Sequence, residues 1–376
     1  MRLLNCDKRK PLITALYLPQ YYETDYNNEW WGKGYTEWVA CKQAKPLFAG
    51  HNQPRKPLNS NYYDLSKKEN IRWQIELAKK YGIDGFAIYQ YYSCGDKLLE
   101  VPTEILRDNK DLDIPFYLFW ANESWRKMWF GQDRKVVWEQ KYGNESDWYK
   151  QFLYCLDYFK DERYIRIDGK PVYGVYNAFN FPEIDEFINK WNEWAKKFGL
   201  EGIYFIKAMG SRDKNRLGNF SAIVSREPNY TFAYDESFFE KAIRVGKSRI
   251  VDWINRKYLL SKGKGIIELS ANYDELWGRI LNRKIPNDGT VCLGAFTDWD
   301  NSPRKSYNST IISGGNPEKF GIYMKKLYKK AMVNHCPMIV INAWNEWAEG
   351  AYLEPDELYG FKYLEQILKI KESGVQ

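Results

Sequence analysis

The sequence predicts a single (β/α)8, or TIM, barrel, an α/β fold in which eight parallel strands alternate with helices. Its length of 376 residues suits one large barrel domain with insertions. Short apolar runs rich in β-branched and aromatic residues alternate with helical patterns from end to end. No G-x-G-x-x-G motif follows the first apolar run, which disfavours the competing doubly wound sheet.

The first half of the chain is predicted to form four strand–helix units. Gly82 and Gly199 follow two of the helical patterns, as residues that end helices often do. Pro182 with acidic neighbours begins the helix that Gly199 ends. The predicted strands are residues 12–18, 83–89, 115–120 and 171–176, and the predicted helices are residues 68–81, 95–108, 146–159 and 182–198.

The second half of the chain is predicted to complete the barrel. Strands are predicted at residues 203–208, 222–225, 291–296 and 338–342, and helices at residues 237–245, 273–283, 318–334 and 358–371. We expect one catalytic domain over residues 1–376. It carries a long loop insertion at 19–64 after the first strand and a helical insertion at 226–287 after the sixth.

The charge distribution argues against a nucleic-acid partner. The net charge is +7, and Lys and Arg are scattered among Asp and Glu rather than massed. A mild preference for anionic substrates or for a membrane surface remains open. No stretch approaches the ~18 apolar residues of a membrane helix, so we expect no integral membrane segment.

The location and the cofactors are inferred from what the sequence lacks. The N-terminal residues contain no apolar signal core, and the six cysteines show no paired spacing. Both observations favour a cytoplasmic protein, and a periplasmic or secreted location would require a trimmed signal. With only His51 and His335 present, a His-based metal site and a Ser-His-Asp triad are disfavoured. We expect neither a metal nor a cofactor.

Aromatic and polar residues cluster after the predicted strands, where a barrel carries its site. Aromatic residues make up 17% of the chain, which fits either sugar binding by aromatic faces or an aromatic-rich core. The clustering favours sugar binding, and loop hydrogen bonding is the alternative for the polar members. The candidate substrate-binding residues are Gln20, Trp31, Glu37, Trp38, Tyr89, Tyr91, Trp120, Asn122, Glu123, Trp125, Asp298, Trp299, Asn345 and Trp347.

The segment 339–356 carries the strongest catalytic signal. A predicted buried strand at 339–341 leads into Glu346 and Glu349, which two tryptophans flank. Two carboxylates among indoles at the end of a buried strand suit acid/base chemistry on a sugar, because apolar surroundings shift a carboxyl pKa. We predict Glu346 and Glu349 as the catalytic residues. The alternative is a structural pair that caps backbone amides or pairs with Lys or Arg.

Asp298 and Asp300 form a D-x-D pattern after the seventh predicted strand. In nucleotide-sugar transferases such a pair can hold a metal, but the pattern is very common by chance. We expect no metal here and interpret Asp298 as a candidate for binding a sugar hydroxyl. His51 is interpreted as a structural loop residue.

Five motifs together resemble one known family. They are Gly-Tyr-Thr-Glu-Trp at 34–38, Lys-Pro-Leu-Phe-Ala-Gly-His at 45–51, Trp-Ala-Asn-Glu at 120–123, Trp-Asp-Asn-Ser-Pro-Arg at 299–304 and Asn-Glu-Trp-Ala-Glu-Gly at 345–350. The set is similar to the WbsX-like proteins, also described as glycoside hydrolase family 99-like. The resemblance implies polysaccharide or lipopolysaccharide biosynthesis, and a relation to endo-acting α-mannosidases with a (β/α)8 barrel.

The resemblance also implies a mechanism. By analogy with family 99, Glu346 would deprotonate the sugar 2-hydroxyl, which attacks the anomeric carbon to give a 1,2-anhydro intermediate. Glu349 would protonate the leaving oxygen and later activate water, with net retention. Such chemistry requires an ionised base and an acid that burial keeps protonated near the working pH.

Three functions are consistent with these patterns. The first is a glycoside hydrolase that cleaves an α-linked mannose-type or related oligosaccharide or polysaccharide with retention. The second is a glycosyltransferase in O-antigen or capsular polysaccharide synthesis, although no nucleotide-binding fingerprint is visible. The third is a carbohydrate-binding barrel without catalysis.

Overall fold

The computed structural model describes residues 10–126, 136–209, 217–262, 264–267 and 269–373, and eight parallel strands form a closed barrel at its centre. The strands are β1 (Leu12–Tyr17), β2 (Gly85–Ser93), β3 (Phe116–Trp120), β4 (Lys170–Val175), β5 (Tyr204–Ala208), β6 (Ala222–Val224), β7 (Val291–Phe296) and β8 (Met338–Asn342). Each strand pairs in parallel with the next, and β1 pairs with both β2 and β8. The predicted (β/α)8 fold is confirmed.

The strands are apolar on both faces, as strands enclosed by helices must be. Every residue of β3, β7 and β8 is buried. Where the barrel closes, Leu12 lies opposite Met338 and Ala15 lies opposite Ile341. The first and last strands of the barrel therefore lie side by side, and the loops after β1 and β8 leave the barrel at the same edge.

Helices surround the barrel and follow most of its strands. They are α1 (Asp25–Trp31), α2 (Glu37–Gln43), α3 (Lys68–Lys80), α4 (Val101–Asp108), α5 (Glu145–Phe159), α6 (Ile184–Lys197), α7 (Asn229–Tyr234), α8 (Phe238–Ile254), α9 (Tyr273–Asn282), α10 (Ser302–Lys305), α11 (Pro317–Val333) and α12 (Lys362–Glu372). Asn144, Asn272 and Asn316 cap three of them by accepting backbone N–H groups of the first turn. Within the described ranges, no helix has the length and apolar composition needed to cross a bilayer.

Three predicted segments differ from the structure. The predicted helix 95–108 starts as a strand, Asp96–Leu98, which folds back on β2, and becomes helical only at Val101. Gly95, at a φ of 99°, allows this tight reversal. The predicted helix 237–245 is too short, because α8 continues through Gly246 to Ile254. The loop predicted to run to residue 64 contains α1 and α2.

Three loops at the carboxyl ends of the strands position the candidate site. The loop after β1 carries α2, and the loop after β7 carries α10. After β8 the chain forms a short antiparallel hairpin, Asn345–Glu346 with Ala351–Tyr352, which encloses a turn at Trp347–Glu349. Both α2 and α10 contact this turn, so parts of the chain that are far apart in sequence meet at one place.

Candidate active site

The chain that follows β8 is anchored to the end of β1. The Asn345 side chain accepts a hydrogen bond from the Leu18 N–H (2.8 Å) and donates one to the Leu18 carbonyl (2.9 Å). The Tyr21 hydroxyl donates to the Asn345 carbonyl. Because Asn345 is fully buried, it clamps the two strands that close the barrel rather than facing a ligand.

This clamp directs two carboxylates towards one guanidinium. Gly350 directly follows the turn at Trp347–Glu349, and its φ of 65° lies in the left-handed region that suits glycine. Glu346 precedes the turn and Glu349 ends it. Both side chains accept hydrogen bonds from Arg304 of α10.

Arg304 contacts three carboxylates at once. Its Nη2 lies 3.1 Å from Glu346, its Nη1 lies 2.7 Å from Glu349 and its Nε lies 2.6 Å from Glu37. The guanidinium therefore joins the loops that follow β1, β7 and β8. Carboxylates this close repel one another when ionised, and the arginine offsets that repulsion.

The two predicted catalytic acids differ in burial. Burial, followed by repulsion from Glu349, raises the pKa of Glu346 to about 8, although Arg304 opposes the shift. The Glu346 side chain is 9% exposed, whereas that of Glu349 is 21% exposed. Burial therefore favours the neutral form of Glu346, and Glu349 is the more accessible of the two.

A cavity of about 920 Å³ lies beside Glu349. Its wall includes Glu123 after β3, Tyr176 after β4, Arg226 after β6 and Trp299 after β7. These positions are at the carboxyl ends of the strands, where barrel enzymes carry their sites. The Arg226 guanidinium lies 4.4 Å from the centre of the Tyr176 ring, in a cation–aromatic contact. The cavity combines charged groups with aromatic faces, a lining that suits a polar ring compound.

Predicted aromatic residues from three loops gather at the same end of the barrel. The Trp125 ring centre lies 5.1 Å from that of Tyr91 and 6.2 Å from that of Trp31, in edge-on contacts. All three side chains are half-buried. The Tyr89 ring centre lies 6.2 Å from that of Tyr176, which belongs to the cavity wall. The structure thus brings together candidates from the end of β2 and from the loops that follow β1 and β3.

Three other predicted tryptophans lie in the core instead. Trp38, Trp120 and Trp347 are almost completely inaccessible. Their indole N–H groups donate to two backbone carbonyls and to the Glu354 carboxylate. Their burial leaves no aromatic face for a ligand, so these side chains support the site from behind.

The polar candidates divide between the cavity and the loops around it. Buried Asn122 donates to the Asn177 carbonyl and accepts from the Asn177 N–H, both at 2.7 Å, and so fixes the loop after β4. Exposed Glu123 lines the cavity and accepts from the Asn177 side chain at 2.7 Å. Gln20 accepts the Glu37 N–H through its backbone carbonyl at 3.1 Å. Of these candidates, Glu123 is the one that faces the cavity.

The two aspartates of the D-x-D pattern are engaged by protein groups. Arg55 donates to Asp298 at 2.8 Å. Asp300 accepts from Gln53 at 2.6 Å and lies 2.9 Å from the His51 Nε2. In the part of the chain that the structure describes, no group of three or more His, Cys, Asp or Glu is arranged to hold a metal ion. A ligand at either aspartate would compete with these contacts.

Comparison with known families identifies the family of this chain. A family model described as glycosyltransferase WbsX matches residues 13–367. The chain belongs to the WbsX family. The resemblance that the sequence motifs predict is therefore confirmed.

Relatives of this WbsX family member occur in two strains of Xanthomonas campestris pv. campestris, ATCC 33913 and B100. Both are described as uncharacterized protein WxcX. Each is 30% identical over 358 residues, which cover 94% of this chain and 48% of the relative. The WbsX chain thus spans about half the length of the curated relatives it matches.

Solved structures share the fold of this WbsX chain. The GH99 endo-α-mannosidase from Bacteroides thetaiotaomicron matches with a TM-score of 0.53 at 13% identity, covering 98% of this chain and 97% of that chain. Its complex with bis-tris propane gives a TM-score of 0.52. A glycoside hydrolase-like protein gives 0.51 at 13% identity, covering 96% and 93% of the two chains. At such low identity the likeness shows the fold alone.

Two arginines of the WbsX site are absent from the sequence-based candidates. Arg304 lies in the motif at 299–304 and follows a barrel strand, so the rule that selected the acids could also have selected it. Arg226 comes directly after β6 and is likewise detectable by its position. The emphasis on tryptophan and carboxylate clusters concealed both.

A buried carboxylate behind the turn, Glu354, is also absent from the candidates. It accepts hydrogen bonds from the Trp347 indole (2.7 Å), the Tyr63 hydroxyl (2.8 Å) and the Gln74 amide (2.7 Å). Burial raises the pKa of Glu354 to about 7 against the lowering effect of these donors. In the WbsX site it fixes the indole that lies between the two predicted acids in sequence.

Proposed function

We propose that this protein is a carbohydrate-active enzyme that hydrolyses an α-linked mannose-type or related glycosidic bond with retention. The observation that carries the proposal is the Arg304-bridged pair, Glu346 and Glu349, beside a cavity of about 920 Å³ at the barrel mouth. Glu346 is nearly buried, while Glu349 is on the cavity wall. This difference in access matches two different roles.

In the proposed reaction Glu349 is the acid and Glu346 is the base. Ionised Glu346 takes the proton of the sugar 2-hydroxyl, whose oxygen attacks the anomeric carbon as the glycosidic bond breaks. Glu349 gives its proton to the leaving oxygen. In the second step Glu349 takes a proton from water, which opens the 1,2-anhydro ring at the anomeric carbon. Glu346 returns its proton to the 2-oxygen, and two inversions give net retention.

Arg304 has a positioning role in this proposal. It holds both acids through separate nitrogens, so their relative position does not depend on which of them is protonated. Its positive charge also favours the ionised form of Glu346, which burial disfavours. A base with a raised pKa is a stronger proton acceptor once ionised, which suits a hydroxyl proton.

The raised pKa of Glu346 predicts the pH dependence of catalysis. With Glu346 as the base, kcat/KM is expected to rise as the pH approaches about 8, where Glu346 becomes ionised, because kcat/KM reports the free enzyme. The measurement is a pH–rate profile of the wild type. Glu354→Gln is the control, since Glu354 is the other buried carboxyl of this region with a raised pKa. A profile that does not rise as the pH approaches 8 would contradict Glu346 as the base.

Hydrolysis is tested by oligosaccharide release from α-mannans and bacterial surface polysaccharides. We expect release, and NMR of the first product should show the α-configuration of the substrate. A β-configured first product contradicts the proposed mechanism. Binding of a glycan without release contradicts hydrolysis and favours the non-catalytic barrel.

Sugar transfer is the second candidate function, because the family model is described as a glycosyltransferase. It predicts saturable binding of a nucleotide sugar, measured by calorimetry across a panel of donors with and without Mg²⁺. The contacts that Arg55 and Gln53 make with the D-x-D aspartates weigh against a metal-bound donor at that place. Failure of every donor to bind would remove this candidate.

A further inference from the structure

Helix α8 turns an apolar side away from the protein. Phe239, Ile243, Ile250 and Trp253 are spaced by four, seven and three residues, which places them on one side of a helix. Phe239 is 76% exposed, Ile250 61% and Trp253 55%. These four residues are called the outer face below. No residue of α8 is fully buried, so the helix adds no side chain to the core.

The opposite side of α8 is mostly polar and faces the cavity beside Glu349. Its contribution to the cavity lining is Arg244, Ser248, Arg249, Val251 and Asp252. Arg244 is also paired with Glu236 at 2.8 Å. A surface helix normally packs its apolar side on its own protein and presents its polar side to water. In α8 this arrangement is reversed, so packing within the chain does not account for the outer face.

The segment around the outer face is strongly basic. Residues 238–262 contain seven Lys or Arg and two Asp or Glu, a net charge of +5, whereas the whole chain carries +7. Lys247, Arg249 and Lys257 are exposed. The Lys257 Nζ lies 4.9 Å from the centre of the Trp253 ring, so one cation covers part of the outer face itself. An anionic partner would complement this segment.

We propose that the outer face of α8 docks on an anionic lipid bilayer. A helix with aromatic and aliphatic residues on one side and Lys or Arg beside them lies in the plane of a membrane interface. Trp253 and Tyr258 are residues that favour the headgroup level, and basic side chains gain free energy near anionic lipids. Lys257 can keep its ammonium group in the headgroup layer while its stem lies along the indole.

The charges weigh against a second copy of the chain as the occupant. A symmetric dimer brings the same patch of two subunits together. Lys247 and Lys257 of one copy would then lie near the same cations of the other, which is unfavourable. A bilayer with anionic headgroups presents the opposite charge over the whole surface and does not have this difficulty.

Docking through α8 would place the cavity next to the membrane, because the same helix forms part of the cavity wall. A consequence, which rests on the proposed function, is that the substrate is a glycan carried by a membrane lipid. The docking itself does not depend on turnover, so its test is independent of the proposed reaction.

The test is flotation of the purified full chain with vesicles of phosphatidylcholine, with or without about 30% phosphatidylglycerol. We expect binding to the anionic vesicles that added salt weakens. Combined Phe239→Ser, Ile250→Ser and Trp253→Gln substitutions should weaken this binding at least roughly tenfold. The control, Ile322→Ser with Val333→Ser, removes two exposed apolar residues of α11 and should bind as the wild type does.

Charge and mass provide two further readouts. Lys247→Glu with Lys257→Glu should also lose anionic-vesicle binding, while all variants should keep their thermal stability because the changed side chains are exposed. Equal flotation of the triple variant and the wild type would overturn the proposal, as would no flotation of the wild type. The outer face would instead bind a second copy if the wild type does not bind vesicles and has twice the mass of 44.7 kDa in solution, while the triple variant has half the wild-type mass.

Discussion

Replacing Glu349 by glutamine is expected to lower kcat by about 10²- to 10⁴-fold, the usual contribution of a positioned general acid–base group. The amide has nearly the size of the carboxylate, and its oxygen can keep the contact with Arg304 that is now 2.7 Å long. It can neither protonate a leaving oxygen nor take a proton from water. The loss should therefore fall on the chemical step rather than on substrate binding.

The measurement is the initial rate on a cleaved glycan and on an aryl glycoside of the same sugar. A good leaving group needs little protonation. Glu349→Gln should therefore lower the rate of the first step less on the aryl glycoside than on the glycan. Glu357→Gln is the matched control, because this exposed carboxylate lies after the same turn and only 3.9 Å from Lys56. Wild-type rates in Glu349→Gln would exclude Glu349 as the acid.

Replacing Arg304 by methionine is expected to lower the free energy of unfolding by roughly 3 kcal/mol at pH 7. The guanidinium is shared by Glu37, Glu346 and Glu349, and its removal leaves them close together without a counter-charge. Protonation can relieve this repulsion at low pH. The loss of stability should therefore grow as the pH rises through the raised pKa of Glu346 and be smaller at low pH.

Urea unfolding of the wild type and of Arg304→Met at several pH values tests this expectation. The control is Arg72→Met, which breaks an exposed ion pair with Asp111 and should cost less than about 1 kcal/mol. If both substitutions lower the free energy of unfolding by the same amount, Arg304 does not hold the carboxylates together. Turnover should also be lost in Arg304→Met, because the two acids lose their common positioning group.

The barrel was predictable because its strands are enclosed on both sides. Such strands are continuous apolar runs, and the predicted bounds of 291–296 and 338–342 match β7 and β8. The insertions were harder, since their segments do not pack as regular barrel layers. In α8 the apolar pattern indicates a helix correctly, but it cannot tell whether the apolar side faces the core or the solvent.

The candidate site was predictable in part for a similar reason. Position after a strand identifies the loop that reaches the barrel mouth, and Glu346 and Glu349 both meet Arg304 there. Position does not tell which way a side chain points within the loop. Trp125 and Trp120 come from the same short motif region, yet the first is half-buried at the mouth and the second lies in the core.

The three-carboxylate cluster also constrains when the protein can become active. Glu37 contacts Arg304, which lies 267 positions later in the sequence, and Glu346 and Glu349 follow later still. Contacts between such distant residues form late in folding, since the long loop between them must first be ordered. On the ribosome Glu37 emerges long before its partners are synthesised. A nascent chain can therefore hold the complete cluster only after the last strand and the turn that follows it have left the ribosome.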